Sequence, residues 1–459
     1  MFLAIGLLLL LQYRGSFSNE DRFLFLVLML SYCWIAMLMA YAGIRMNLQL
    51  FEPLTIVTVI YAGIFILKPI VDLRHGELLE HGIHVLPGGA RATALFVLGY
   101  TVFFFSYYLH HRKIRFSRKE ADPARCETGH ARLDDLFEVR IAYLYALWAA
   151  VYGLCLLSML SQGLSLRFIF SFGAEGAREQ ESTSSMLLFL TNFGVTLAAL
   201  WLIILDRSKK LTGKVIITVF CAIYVLMRNA RWLALVFLVS PITLYYLKRN
   251  RQPKIRWVLL IGIAGLSVFG WMQANRYGLA RGRAMIFWGL RDLTLSNLLA
   301  PLESDLSTYR AFYSMVNRFP SEHHYLLGST FLYTAVMIIP RAVWPGKPDN
   351  PVRSMIEASL NTRARMSGTA VANLGEFYAN FGVIGIVIGM YLLGWALYAL
   401  KRRMKEAVSG NQWEYLHLYA ILYPLLFQWV ARGNFCGNFY LTLFACLPFF
   451  GRRLFKRKS

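Results

Sequence analysis

Between Asn275 and Phe381 the chain carries ten arginines, Arg276, Arg281, Arg283, Arg291, Arg310, Arg318, Arg341, Arg353, Arg363 and Arg365, against a single lysine, Lys347. A guanidinium is a planar fork of N–H donors. It holds carboxylate or phosphate oxygens in pairs and keeps its charge when partly buried, whereas an ammonium is a compact, strongly hydrated charge. The bias toward arginine therefore points to a held anion. Among the acids of the same stretch Asp292 and Glu376 stand out, with aromatic faces at Tyr277, Trp288, Trp344 and Tyr378. Aromatic faces suit the C–H faces of sugar rings, guanidinium groups suit phosphate, and an ionised carboxylate can receive a hydroxyl proton. Together these side chains suit a lipid-linked sugar pyrophosphate at a membrane surface.

Two local patterns add to this. Arg228-Asn229-Ala230-Arg231 is the whole connection between two apolar segments, which puts two arginines close to hydrocarbon depth, where a cation is costly and usually functional. An anion contact at Arg231 accounts for it better than two mutually repelling arginines snorkelling from one turn. The run from Ile339 to Pro348 contains Pro340, Pro345, Gly346 and Pro348, a rigid turn that aims Arg341, Trp344 and Lys347.

Each of these residues also has a plainer reading. About half of the ten arginines are expected to be solvated or to contact headgroups, since surface charges often do nothing specific. Trp288 and Trp344 fit an interfacial aromatic belt. Asp292 can pair with Arg291, and Glu376 can stabilise a helix from its first turn. The spacing of His75, His81 and His84, and of the six cysteines, gives no metal-ligand set and no disulfide framework. The combination within one stretch favours the functional reading.

The elements that must position these residues are membrane helices. The chain is 57% apolar and only 16% charged, whereas soluble domains run to about 45–50% and about 25%. Apolar segments fall at 2–13, 23–43, 51–70, 93–109, 139–160, 186–205, 215–227, 232–247, 257–274, 382–400, 413–430 and 438–450. Long solid apolar runs, unlike short alternating ones, exclude a β-barrel. The expected fold is all-α, a polytopic membrane protein with about twelve transmembrane helices in one integral domain, 1–459. Residues 2–13 lack a basic start and a small-residue cleavage site, and are read as a short first helix and not a removed leader.

Five connections are dense in lysine and arginine: 110–132, 206–214, 248–256, 401–405 and 451–459. With twelve crossings they share one side with both termini, and the positive-inside rule makes that side cytoplasmic. The formal charge of +23 belongs to these connections and to anionic lipid, not to nucleic acid. The same count places 71–92, 161–185, 228–231, 275–381 and 431–437 outside. It requires 325–340 to lie in the interface or re-enter, since a crossing there would put 401–405 and 451–459 outside. Residues 284–301 are expected to form an amphipathic helix, and a membrane helix is expected to start at Gly382.

Across its whole hydropathy plan, and most sharply from residue 228 to about 400, the chain resembles the Wzy-type polymerases of bacterial surface polysaccharide. The matching pieces are Asn229-Ala230-Arg231, Arg276-Tyr277-Gly278, Arg291-Asp292, Ile339-Pro340, Trp344-Pro345-Gly346-Lys347-Pro348 and Ser367-Gly368. The resemblance implies a GT-C-like fold in the bacterial cytoplasmic (inner) membrane, facing the periplasm or exterior. It implies metal-independent, cofactor-free polymerisation of oligosaccharide units carried on undecaprenyl pyrophosphate, with a chain-length regulator as a further candidate partner. On that basis Arg231, Arg276, Arg291 and Arg341 or Lys347 are assigned to pyrophosphate. Asp292 or Glu376 becomes the base, and Tyr277, Trp288, Trp344 and Tyr378 become sugar platforms.

Two rival functions share part of this pattern. A ligase moving finished polysaccharide from the same lipid would keep the arginines and the topology. A flippase for the same lipid should show internal repeats and charges near midplane, and the sequence has no clear repeat and few charges within its spans.

Overall fold

The computed structural model describes residues 19–46, 48–75, 79–80, 83–84, 88–120, 141–160, 192–228, 230–280, 303, 305–339, 343–360, 370–410 and 412–450. The architecture is all-α. The helices are α1 (Asn19–Met46), α2 (Pro53–Ala62), α3 (Lys68–His75), α4 (Gly89–Glu120), α5 (Ile141–Leu160), α6 (Phe193–Arg207), α7 (Leu211–Arg228), α8 (Arg231–Lys248) and α9 (Ile255–Ala280). They continue with α10 (Thr308–Arg318), α11 (Ser329–Met337), α12 (Pro351–Leu360), α13 (Asn373–Ser409), α14 (Trp413–Ala431) and α15 (Phe435–Phe450). A π-helical turn, Gly63–Leu67, joins α2 to α3. The strands β1 (Leu79–Glu80) and β2 (Ile83–His84) form a two-residue antiparallel pair, Leu79 opposite His84.

Each apolar segment from 23–43 onward coincides, in whole or in part, with one of these helices or, for 51–70, with the α2–π–α3 run. The first, 2–13, lies outside the described residues, as does 284–301. Among the described residues six helices are long and apolar enough to cross a membrane: Glu20–Met46, Pro53–Leu73, Gly89–Arg112, Ile141–Ser158, Leu211–Arg228 and Asn373–Ser409. This is a multi-pass membrane protein. Its helix starts follow the usual chemistry. Glu20 and Asp21 lie in the first turn of α1 and Arg45 in its last, complementing the helix dipole, and Pro53 opens α2 where no amide donor is needed.

Two cores form. One joins α1, α2, α4 and α13 through aromatic rings, with Phe65 stacked on Phe96 at 4.7 Å and Tyr61, Tyr100 and Phe103 fully buried. Here α4 and α13 approach closely because glycine lines the seam. A Cβ on Gly99 would lie 2.8 Å from Ile386, and one on Gly394 only 2.5 Å from the Phe103 carbonyl. The second core joins α5, α6, α7 and α8 to α14. Helix α14 also anchors the α1–α2 loop, since the Tyr423 hydroxyl donates to the Leu50 carbonyl (2.9 Å).

Polar contacts sort the connections to two ends. At one end Asp206 accepts from Lys248 (2.5 Å), Glu52 pairs with Lys401 (2.6 Å), and the Leu50 amide donates to Gln252 (3.1 Å), which gathers 206–214, 248–256 and 401–405. At the other end gather 228–231, 431–437 and the helices α10 to α12. The segment 325–340 contributes only α11, nine residues or about 13 Å of helix, too short to cross about 30 Å of hydrocarbon.

Candidate functional site

Helix α13 is two helices. Phe381 (φ −140°, ψ 17°) and Gly382 (φ 62°, ψ −143°) break it. The left-handed φ at 382 favours glycine, and a Cβ there would lie 2.8 Å from the Tyr325 hydroxyl. The carbonyls freed by the break are satisfied from the segment before α11: Leu326 N donates to Ala379 O (2.9 Å) and Leu327 N to Asn380 O (3.1 Å). The Asn380 side chain completes the joint, accepting from Gly328 N (3.0 Å) and donating to Thr330 Oγ1 (2.8 Å). At the other end of this short helix, the Tyr61 hydroxyl donates to Asn373 Oδ1 (2.9 Å). The expected start at Gly382 is thus the start of the membrane-spanning part. A separate two-turn helix, Asn373–Asn380, precedes it.

That short helix holds Glu376, which is buried. Its Oε2 accepts from the amide of Phe435 (2.9 Å), the first residue of α15, so the carboxylate caps an orphan N–H at a helix start. Gly433 makes the approach possible. Its φ is +47°, and a Cβ on it would lie 1.7 Å from the Val371 carbonyl oxygen. The other carboxylate oxygen, Oε1, is buried with no hydrogen-bond partner among the described residues.

Beside this joint lies a polar cavity of about 480 Å³. Arg228 and Arg231 reach it from the α7–α8 turn, Asp305 from the segment before α10, and Arg432, Asn434 and Asn438 from the turn into α15 and its first residues. Asp305 Oδ1 accepts from both Arg231 (3.2 Å) and Arg432 (2.8 Å). Three guanidinium groups around one carboxylate leave an excess of positive charge in a partly enclosed space, where Coulomb attraction is stronger than in water. Gln428 also lines the cavity; it is buried, and its Nε2 has no hydrogen-bond partner among the described residues. The wall therefore presents unused donors and net positive charge, the requirements of an anion site.

A second carboxylate secures the scaffold. Buried Asp72 accepts from Lys68 (2.6 Å), Arg310 (2.7 Å) and the Tyr309 hydroxyl (2.6 Å). This ties α10, and with it the preceding Asp305, to α3. Burial first, and then the Asp72 charge it faces, raise the Tyr309 hydroxyl well above the ordinary phenol value, so it stays a donor.

The structure places the sequence-expected residues unevenly. Arg231 lines the cavity, and Glu376 lines a neighbouring apolar groove that shares Asn434 and Asn438 with it. Arg276 and Tyr277 lie in the last turns of α9, where only the backbone is described. Trp288, Arg291, Asp292 and Arg341 lie outside the described residues. Lys347 is not at the cavity wall. It is buried, donates to the carbonyls of Met337 and Ile339 (both 2.9 Å) at the end of α11, and sits 5.6 Å over the Tyr333 ring. Trp344 is 41% exposed. Tyr378 is fully buried, its hydroxyl donating to the Phe319 carbonyl (3.1 Å), so its ring packs inside the helix cluster. Among the described residues no three His, Cys, Asp or Glu side chains are grouped to hold a metal ion.

Sequence reasoning missed Asp305, Gln428 and Arg432. The turn 431–437 is a short connection with one arginine, so the argument that selected Arg231 also selects Arg432. No curated protein and no solved structure matches the chain. A family model does, over residues 1–458, and its description fits a multi-pass membrane protein: the chain belongs to the O-antigen polysaccharide polymerase Wzy family.

Proposed function

We propose that this polymerase joins oligosaccharide repeat units carried on undecaprenyl pyrophosphate at the outer face of the bacterial cytoplasmic membrane, and that the arginine cavity receives the pyrophosphate. A hydroxyl oxygen of the incoming unit attacks the anomeric carbon of the growing chain. The new glycosidic C–O bond forms as the bond to pyrophosphate breaks, and the electron pair leaves with the lipid pyrophosphate. Arg228, Arg231 and Arg432 neutralise the charge that builds on this leaving group, held in place beforehand by Asp305. With that charge supplied by guanidinium groups, the transfer proceeds without a metal ion. Arg276, Arg291 and Arg341 are further candidates for contact with the pyrophosphate in this reading. Glu376 or Asp292 takes the hydroxyl proton, and Glu376 Oε1, buried with no hydrogen-bond partner among the described residues, supports the first assignment.

The observation that carries the reading is the convergence of arginines from two separate connections on one aspartate beside the Glu376 helix. Arg231→Ala and Arg432→Ala proteins, produced in membranes at normal levels, should yield single repeat units in place of long chains on a glycan gel. Normal chain lengths from both variants would sink the pyrophosphate assignment.

A further inference from the structure

The break in α13 shapes a second feature. An apolar groove of about 830 Å³ runs along the membrane-spanning part of the helix. Ile384, Ile388, Leu392 and Trp395 form one stripe at helical spacing, each half exposed or more. The folded-back Asn373–Asn380 helix supplies the facing wall through Phe377, whose ring would meet a Cβ on Gly389 at 2.5 Å. Phe331 closes one end, lying across Phe381 and Phe435 with ring centroids 6.4 and 5.1 Å away.

The groove is mainly apolar, and its polar lining is Asn373, Glu376 and Asn380 on the short helix with Asn434 and Asn438 at the start of α15. There Asn434 and Asn438 line both the groove and the arginine cavity. The two spaces share a wall, one side built for hydrocarbon and the other carrying excess positive charge. An occupant of both must be an amphiphile with a long apolar tail and a compact anionic head. A free sugar phosphate would leave the stripe unfilled, and a neutral lipid would leave the guanidinium groups unmatched.

We propose that this groove seats the polyprenyl chain of the donor lipid, so that the pyrophosphate enters the arginine cavity past Asn434 and Asn438 and the spent lipid leaves along the same path into the bilayer. The inference rests on the reading of the cavity as a pyrophosphate site. It adds a tail site that lengthens the contact and orients the head. Affinity should therefore grow with prenyl chain length beyond what partition into the bilayer supplies, because the groove walls pack against more of a longer tail.

The test uses the full-length protein in phosphatidylcholine nanodiscs and four probes: undecaprenyl pyrophosphate, farnesyl pyrophosphate, inorganic pyrophosphate and phosphatidylglycerol. The wild type should bind the long-chain pyrophosphate most tightly. An Ile384→Trp/Ile388→Trp protein fills the groove from exposed positions. It should bind the long-chain probe about tenfold more weakly, the loss of roughly 1.4 kcal/mol, and inorganic pyrophosphate unchanged. Arg432→Ala should weaken all three pyrophosphates. Equal affinity for long and short chains would overturn the tail site. So would an unaltered long-chain affinity in the groove variant, a loss of inorganic pyrophosphate binding there, or displacement of the long-chain probe by phosphatidylglycerol at matching concentration. If Arg432→Ala bound every pyrophosphate normally, the cavity assignment itself would fail, whatever the groove variant did.

Discussion

Arg432 donates to Asp305 at 2.8 Å, onto the same carboxylate oxygen that Arg231 reaches from another connection at 3.2 Å. Two guanidinium groups so close repel each other unless an anion lies between them, and Asp305 is that anion. In the proposed reading it holds both forks where a pyrophosphate would be met without rearrangement. Asp305→Asn keeps an acceptor and removes the charge. Turnover should fall about tenfold, the scale of losing one charge-assisted orienting contact, while the protein remains folded. Asp305→Ala should also destabilise the fold by about 1–3 kcal/mol, since two half-enclosed arginines lose a partner. Single-turnover rates and thermal unfolding of the purified variants separate the two effects.

Glu376 has one carboxylate oxygen occupied by the Phe435 amide and one buried with no hydrogen-bond partner among the described residues. Glu376→Gln preserves the cap on α15 and removes the proton acceptor. Polymerisation should fall at least a hundredfold at unchanged protein level, the usual scale for a general base. The companion variant is Asp292→Asn. If Glu376→Gln keeps full activity and Asp292→Asn loses it, the base is Asp292; full activity in both excludes each carboxylate.

How much of this was legible in the sequence depends on where the determining forces lie. The membrane helices were, because a hydrocarbon solvent demands long apolar runs that composition reveals directly. The Asn373–Asn380 helix was not. Its residues face the interior of the protein, its polarity resembles a loop, and hydropathy rises only at Gly382. Arg231 drew notice because a cation in a four-residue turn between apolar segments is costly, and the structure sets it on the cavity wall. Asp305 was invisible, since an aspartate in a polar stretch carries no local signal and gains its meaning only from two arginines 74 and 127 positions away. Lys347 and Tyr378 illustrate the converse. Both stand in a suggestive stretch, yet each spends its polar atom on a carbonyl of the scaffold.

Lys347 separates scaffold from site by experiment. Its ammonium satisfies the carbonyls of Met337 and Ile339. Lys347→Met keeps the buried stem and loses those contacts. It should lower stability by about 1–3 kcal/mol, leaving the affinity of the folded fraction for inorganic pyrophosphate unchanged. A selective loss of pyrophosphate binding at full stability would return Lys347 to the anion site.

Gly433 carries the tightest backbone constraint near the site. A side chain at φ +47° costs about 1–3 kcal/mol by itself, and the Cβ would also fall 1.7 Å from the Val371 carbonyl oxygen, which is backbone and cannot swing aside. Gly433→Ala must therefore push the turn away from the strand-like segment before Asn373. The displacement draws the Phe435 amide off Glu376 and moves Arg432 off Asp305 together, because all four residues meet through this turn. The expected result is a lower unfolding temperature and loss of long-chain polymer, even though Gly433 offers no side chain to substrate. An Arg432→Lys protein shows the contrast, since its backbone is undisturbed and only the guanidinium fork is lost. It should unfold within a few degrees of wild type and still make short chains. If Gly433→Ala matched wild type in both stability and chain length, the close approach of the turn to Val371 would not be what sets the geometry of this site.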